Sequence, residues 1–419
     1  MREARRGVAA IAAVSAALAS VACGSDGAEC VPDERHVLLG PEPPASAPAG
    51  TAIPVELKWP RGCEEMIIEV RGGGRIDPIP DPDAGHASLT WTLGPVPIPN
   101  ALVLPFAHRL VVDATLGVPI VPEPFGDVDA FLASEGVSGS TEGLAFDPAR
   151  DRIVMGVPGG LIQVDAAGKT SRVALSGDPL VAPLGLAFAP GGTLWVADGQ
   201  GAAVRKVTPA GEVVTVAGAG REVAPIFPNS VAVETDGGVV FTDTCGGKVW
   251  WLDASGAPRG QAGFWAKLTG GPNGVAIDSR GDYWVTTENT ALLCMDGTDP
   301  AARVASLYEV SKDGGKDAHA EGVGHYGDGI AVDSEDNLYA VFDTLDGLAL
   351  EESAVFVLPY RGRGVRKVMA TTDRLMANPA FGRGAFGETT MYVALIAIPP
   401  ITDPSARGLV RAVVGMTGL

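Results

Sequence analysis

The amino-acid sequence predicts an all-β protein whose larger part is a six-bladed β-propeller. One short sequence pattern recurs six times, at intervals of 42 to 55 residues. The 56 glycines and 33 prolines of the 419-residue chain suit a turn-rich β fold around a large core. Repeats at this spacing, filled with short β-rich runs and no long 3.6-residue periodicity, are typical of propeller blades of four strands each.

The clearest copy of the pattern is GGPNGVAIDSRGDYWVTTEN, residues 270–289. A polar residue before glycine is followed by an alternating apolar run, a polar turn and an aromatic β-rich run, which together predict a β-hairpin. The residue after the polar position marks each copy. The six markers are Gly143, Gly185, Ser230, Gly274, Gly329 and Pro379.

Residues 1–22 have the features of a secretory signal peptide, with a basic start and an apolar run too short to span a bilayer comfortably. Small residues precede Cys23 as in a bacterial lipobox, although Ser20 stands where leucine is more usual. We therefore expect Cys23 to be lipidated and the mature protein to be an exported cell-envelope lipoprotein, on the outer membrane or the periplasmic side. The alternative is an ordinary signal peptide with a cysteine nearby.

Residues 23–125 predict a tether and a small β module. The Pro-rich stretch PEPPASAPAG is typical of an extended tether, and four short apolar runs after it indicate a β-sandwich-like module or a decorated linker. Without Cys23 an even number of cysteines remains, which allows two disulfides in an exported chain. Cys30 and Cys63 would form one, whereas Cys245 and Cys294 either pair or remain buried thiols.

The formal net charge of −19 would repel phosphate backbones and anionic lipid surfaces. Nucleic acid is therefore excluded as a partner. We expect a monomer that meets a small molecule and contacts the membrane only through a lipid at Cys23.

The propeller is predicted to cover residues 126–419. Residues Val128 to Ala133 are interpreted as a strand that pairs with the C-terminal strand of the last blade. Such pairing would remove an exposed sheet edge and close the ring.

The position before each marker is the first place to look for a site, because one end of each inner strand faces the central channel. These positions hold Glu142, Leu184, Asn229, Asn273, Asp328 and Asn378. Five of the six are carboxylates or carboxamides, and none is His or Cys. Oxygen ligands of this kind suit Ca²⁺ or another hard divalent ion rather than zinc. Asn, Asp and Gly are also ordinary turn residues, which explains any one position but explains Glu142 poorly.

The six stretches resemble the family of six-bladed propellers that includes senescence marker protein, gluconolactonase and luciferin-regenerating enzyme. The resemblance covers residues 126–419. It rests on Glu142-Gly143, Pro228-Asn229 with FTDT after it, Pro272-Asn273-Gly274, Gly327-Asp328-Gly329 and FGRGAFGETTMYVA in the sixth copy.

This resemblance implies a divalent metal, most simply Ca²⁺, bound by Glu142, Asn273 and Asp328, with Asn229 facing the metal or substrate. It implies a lactone or similar cyclic ester as substrate and Asp328 as the general base. Two departures are visible: Gly327 replaces the usual proline, and Phe227 replaces an arginine that some members carry. The second departure leaves no cation placed to meet a carboxylate of a sugar acid.

Two further features bear on function. His325, three residues before Asp328, could line the pocket mouth and assist proton transfer, or it could lie in a solvated insertion loop. The stretch from Leu194 to Gly218 resembles an NHL repeat, a unit found in non-catalytic binding propellers. The alternative function is therefore a surface lipoprotein that binds a glycan, peptide or protein.

Overall fold

The computed structural model describes residues 43–44, 46–58, 69–78, 86–94, 99–103, 109–115, 119–147, 149–259, 268–347, 349–360, 365–398, 401–403 and 406–419. The chain divides into two compact units, one of residues 1–95 and 99–115 and the other of residues 96–98 and 116–419. The predicted signal segment, Cys23, Cys30 and Cys63 lie outside the described residues. Within them, no helix is both long and apolar enough to cross a membrane.

The smaller unit consists of two short sheets. Its strands are β1 (Ser46–Pro48), β2 (Ala52–Lys58), β3 (Glu69–Arg71), β4 (Arg75–Asp77), β5 (His86–Thr92), β6 (Pro99–Val103) and β7 (Arg109–Thr115). One sheet has the order β1-β7-β6-β3 and the other β2-β5-β4. Strand β2 alternates buried and exposed residues, and its Val55 packs with Trp91 of β5 and Leu102 of β6 in one core. Both sheets thus contribute to a single small core.

The larger unit contains the blades. Before the first blade lie β8 (Glu123–Pro124) and α1 (Val128–Ser134). Blade 1 has β9 (Leu144–Asp147), β10 (Arg152–Val157), β11 (Gly160–Val164) and β12 (Thr170–Arg172); blade 2 has β13 (Ser176–Gly177), β14 (Pro183–Phe188), β15 (Leu194–Asp198), β16 (Ala203–Val207) and β17 (Glu212–Ala217). Blade 3 has β18 (Pro228–Val233), β19 (Val239–Asp243) and β20 (Lys248–Leu252) among the described residues.

Blade 4 has β21 (Gly271–Ile277), β22 (Tyr283–Glu288), α2 (Ala291–Cys294), β23 (Ala305–Val310) and β24 (Lys316–Gly324). Blade 5 has β25 (Tyr326–Val332), β26 (Leu338–Asp346), β27 (Ala349–Leu358) and β28 (Arg366–Thr371); blade 6 has β29 (Leu375–Phe381), a 3-10 turn (Gly384–Phe386), β30 (Thr390–Ile396) and β31 (Gly408–Val413). The inner strand of each blade, in the order β9, β14, β18, β21, β25 and β29, contacts the next, and β29 contacts β9. The prediction of a six-bladed propeller is confirmed.

Apolar side chains from neighbouring blades fill the spaces between them. Trp195 of blade 2 packs with Phe241 and Trp250 of blade 3, and Tyr339 of blade 5 packs with Phe381 of blade 6. Each blade buries both faces because β-branched and aromatic residues line its second strand. An apolar cluster of this kind lies between each pair of neighbouring blades.

The segment that closes the ring differs from the prediction. Residues Val128 to Ala133 are not a strand but belong to helix α1, and β8 pairs antiparallel with β31 through Pro124 and Val410. The apolar residues Val128 and Leu132, both buried, are four positions apart, which is a helical repeat rather than the strand repeat of two. The C-terminal strand β31 is the closing partner, as expected.

Candidate functional site

The inner strands place the candidate site residues at β-bulges. In β18 the pairing with β19 skips between Pro228 and Val231, so two residues stand opposite one, and β21 and β25 skip in the same way. The first residue of the two is Asn229, Asn273 or Asp328. A bulge bends the strand and re-aims the side chain that it carries. These residues lie within strands.

The recurring marker glycines are explained by close approach of adjacent blades. A Cβ added to Gly274 would lie 2.3 Å from the backbone oxygen of Asp328, and one added to Gly143 would lie 2.7 Å from that of Leu184. A Cβ on Gly185 would lie 2.5 Å from the backbone oxygen of Asn229. The inner strands can approach this closely around the channel only where no side chain intervenes.

Threonine hydroxyls link the bulges of successive blades. Thr286 accepts a hydrogen bond from the backbone N–H of Gly274 at 2.8 Å and donates one to the backbone oxygen of Asp328. Thr242, at the same position one blade earlier, accepts from the N–H of Ser230 at 3.0 Å and donates to the backbone oxygen of Asn273. These buried hydroxyls fix the spacing between consecutive site residues.

Blade 1 joins the same arrangement through Glu142, which precedes β9 and is partly buried. The side-chain nitrogen of Asn378 in blade 6 donates to the backbone oxygen of Glu142 at 3.1 Å. Asn378, the last residue of the predicted polar set, thus ties the last blade to the first. Leu184 of blade 2 supplies no polar group.

The carboxylates of Glu142 and Asp328 interact although 186 positions separate them in the sequence. Burial raises the pKa of Asp328 to about 7, and a 2.8 Å hydrogen bond from the backbone N–H of Gly329 to Oδ1 opposes the rise. Burial also raises the pKa of Glu142 well above its usual range, and repulsion from Asp328 and then Glu288 adds to the effect. Burial and repulsion between like charges both disfavour the ionised form of a carboxyl group.

Two further carboxylates belong to this cluster and were missed by the sequence reasoning. Burial raises the pKa of Glu288 to about 8, with repulsion from Asp328 adding to the rise. Burial likewise raises the pKa of Asp343 well above its usual range, with added repulsion from Asp328 and Glu288. We define Glu142, Glu288, Asp328 and Asp343 as the acidic cluster.

Register along the second strands explains why Glu288 and Asp343 face the cluster. In blades 2 and 3 the strand ends in Asp198 or Asp243, each opposite the proline of its inner strand, and Asp198 binds the backbone N–H of Ala182 at 2.7 Å. Glu288 and Asp343 each occupy one position further along. A shift of one residue turns a strand side chain to the other face. The signal in the sequence was an acidic residue one position beyond the place where the second strands of blades 2 and 3 carry Asp198 and Asp243.

Several oxygen atoms in this region are buried and lack a hydrogen-bond partner among the described residues. They are Asn229 Oδ1, Asn273 Oδ1, Glu288 Oε1 and Asp343 Oδ1. Among the described ion pairs none involves a member of the acidic cluster, so no side-chain cation offsets its charge. A set of oxygen acceptors with excess negative charge fits a hard divalent cation.

The predicted metal ligands Glu142, Asn273 and Asp328 are two carboxylates and one carboxamide. In the described part of the chain, no group of three or more His, Cys, Asp or Glu side chains could hold a metal ion by themselves. Asn273 would therefore have to contribute an oxygen, and its Oδ1 is unpartnered. The donor chemistry fits the implied ion, with Asn229 and its unpartnered Oδ1 in the same bulge position one blade earlier.

The ring of His325 is bonded outside the acidic cluster. Its Nδ1 accepts a hydrogen bond from the backbone N–H of Leu345 at 3.0 Å, so the imidazole is neutral with its proton on Nε2. Burial lowers the pKa of His325 and the charge of Arg303 lowers it further, while the Ala301 backbone and Glu351 oppose this. The recorded partners of the ring belong to the insertion after β22 and to β26 and β27, and none is a member of the acidic cluster.

A disulfide joins Cys245 to Cys294, the pair that the sequence left open. Cys245 follows β19 in blade 3, and Cys294 ends α2, which follows β22 in blade 4. The bond therefore links the two blades whose inner strands carry Asn229 and Asn273.

Comparison with known proteins gives likeness of structure but not of sequence. No protein-family model matches the chain, and no curated protein sequence is similar to it. A structural genomics protein of unknown function from Bacteroides thetaiotaomicron is 11% identical, with 91% of this chain and 99% of that chain covered and a TM-score of 0.51.

Two similar structures carry names from the group that the sequence resembles. A gluconolactonase from Xanthomonas campestris is 16% identical, with 73% of this chain and 98% of that chain covered and a TM-score of 0.49. A luciferin-regenerating enzyme is 14% identical, with 72% and 98% covered and a TM-score of 0.48. With TM-scores below 0.5, neither of these two likenesses carries an argument about this chain.

Proposed function

We propose that this chain is a hydrolase that opens a lactone or a similar cyclic ester with the help of a divalent cation, Ca²⁺ by preference. The observation that carries the proposal is the set of buried, unpartnered oxygens around the acidic cluster, contributed by several blades. The residues that would hold the ion are Glu142, Asn273 and Asp328. The resemblance of the six repeats to gluconolactonases points in the same direction.

The reaction adds water to the acyl carbon and breaks its bond to the ring oxygen. A proton leaves the water and one reaches the ring oxygen, so the product is a hydroxy acid. A bound cation would polarise the substrate carbonyl and stabilise the negative charge that develops on its oxygen.

Asp328 is the residue best suited to take the proton from water. Its Oδ1 accepts the Gly329 N–H, which leaves Oδ2 as the atom that would receive the proton. A carboxylate held in place by the Gly329 N–H is suited to accept a proton from water and to release it again. Asn229, through Oδ1, would accept a hydrogen bond from water or a substrate hydroxyl and so orient it.

The test is a panel of lactones and esters given to the full chain with and without a chelator. Asp328→Asn should lower lactone hydrolysis by at least about a hundredfold, because it removes the base but keeps a neutral oxygen. Glu142→Gln should mainly weaken Ca²⁺ binding. Asp313→Asn is the control, because Asp313 is an exposed turn carboxylate bonded to Ser311.

Hydrolysis that survives both the chelator and Asp328→Asn would refute the proposal. A chain that binds a glycan, peptide or protein but hydrolyses no member of the panel would support the non-catalytic alternative. Either result is independent of whether Cys23 carries a lipid.

A further inference from the structure

We propose that Glu288 is a positioning residue that orients the carboxamide of Asn273 so that its oxygen faces the cation site. The inference rests on the proposed function, because it assigns Asn273 Oδ1 as a ligand atom. Glu288 was not in the set that the repeats predicted, and it lies at the end of β22 beside the bulge that carries Asn273.

The hydrogen bond between these two side chains sets the direction of the amide. Asn273 Nδ2 donates to Glu288 Oε2 at 2.9 Å, and the two residues are 3% and 7% exposed. Because Glu288 Oε2 is the acceptor in this bond, the NH₂ end of the amide faces Glu288. The other end, Oδ1, then points away from Glu288 and is the atom that has no described partner.

Without such a partner the amide could turn over, because its two ends are nearly equal in size. An asparagine that presents its NH₂ group to a cation would repel it rather than bind it. Removing a residue that hydrogen-bonds to a metal ligand and so orients it commonly lowers metal affinity by about 10- to 100-fold.

Asp343 offers a matched control within the same cluster. It occupies in blade 5 the register position that Glu288 occupies in blade 4, opposite the first residue of the inner strand. Its carboxyl group bonds to Ser353 rather than to Asn273. Asp343→Asn therefore removes one negative charge from the cluster and leaves the Asn273 contact in place.

The experiment measures Ca²⁺ affinity by calorimetry on the full chain for the wild type and the variants Glu288→Asp, Glu288→Gln and Asp343→Asn. Glu288→Asp keeps the charge but shortens the side chain, so its oxygens fall short of Asn273 Nδ2. Glu288→Gln removes the charge but keeps an oxygen within reach. If Glu288 acts by positioning, Glu288→Asp loses at least about tenfold in affinity, and Glu288→Gln loses no more than Asp343→Asn does.

Nuclear magnetic resonance of the Asn273 side-chain NH₂ group provides a readout without metal, with its signal assigned from Asn273→Asp. Slow hydrogen exchange should persist in Glu288→Gln and be lost in Glu288→Asp. If Glu288→Asp binds Ca²⁺ with wild-type affinity and the hydrogen exchange of the Asn273 NH₂ group is unchanged, the inference is overturned while the proposed function remains intact. If the wild type binds no Ca²⁺, the metal-dependent function fails, and the exchange experiment still decides whether Glu288 holds Asn273.

Discussion

Replacing Thr286 by valine tests whether the threonine hydroxyls hold the ring of site residues together. Thr286 is fully buried and bonds both to the Gly274 N–H and to the Asp328 backbone oxygen. Valine has nearly the same shape, so the change removes the hydroxyl and leaves two buried backbone groups without this partner. Each such group costs about 1–3 kcal/mol, so Thr286→Val should lower the free energy of unfolding by roughly 2–6 kcal/mol.

Urea denaturation of the full chain, monitored by tryptophan fluorescence, measures this difference. The matched control is Thr170→Val, because Thr170 is buried and its hydroxyl has no described partner, so the loss there should be near zero. Thr286→Ser retains the hydroxyl and should lose only about 1 kcal/mol for the missing methyl group. If Thr286→Val and Thr170→Val agree within about 0.5 kcal/mol, the hydroxyl does not link the blades as argued.

Three further outcomes are expected. Because the folded-state pKa values of Asp328 and Glu288 are raised to about 7 and about 8, the metal-free folded protein binds more protons than the unfolded chain. The free energy of unfolding should therefore fall as the pH rises from about 4 to about 8, and added Ca²⁺ should raise it most at the upper end of this pH range. A calorimetric stability that does not change with pH would contradict this. Replacing Cys245 and Cys294 together by serine removes a cross-link between residues 49 positions apart. Denaturation should show that the free energy of unfolding falls by up to about 4 kcal/mol. An unchanged free energy of unfolding would show that the disulfide does not constrain the chain. Neutral lactones should be hydrolysed faster than carboxylate-bearing ones in competition assays, since Phe227 stands where some gluconolactonases have a cation; equal rates would remove this basis for selectivity.

The repeats predicted the fold and the ring of inner-strand residues because both depend on regularity. A polar residue before the marker position was visible in five of the six copies, and the structure places Asn229, Asn273 and Asp328 in equivalent bulges. The glycines were interpreted as turn formers, whereas contact distances between adjacent strands are what exclude a side chain at Gly274. A spacing pattern reveals that a position is restricted to certain residues, but it does not show which neighbouring atoms impose the restriction.

The closing strand and the second-strand carboxylates could not be predicted in the same way, because each departs from the repeat. Strand β8 is only two residues long, and its pairing with β31 depends on contacts across almost 290 positions of sequence. The nearby helix carried the stronger local signal, and its apolar residues were assigned the wrong period.

Glu288 and Asp343 show how a small departure from the repeat changes the chemistry of the channel. In blades 2 and 3 the acidic residue that ends the second strand is occupied by backbone N–H groups, so its charge is satisfied within its own blade. In blades 4 and 5 the acidic residue lies one position further along the strand. It therefore lacks those backbone donors, and its carboxyl group faces Asp328. Hydrogen bonds from Asn273 and Ser353 offset part of the cost of burying these carboxyl groups, and protons or a cation would offset more of it, because no described ion pair involves either residue. A one-residue change in register therefore separates a carboxylate that is bonded within its own blade from a member of the acidic cluster, and it accounts for the concentration of acidic groups at one part of the channel.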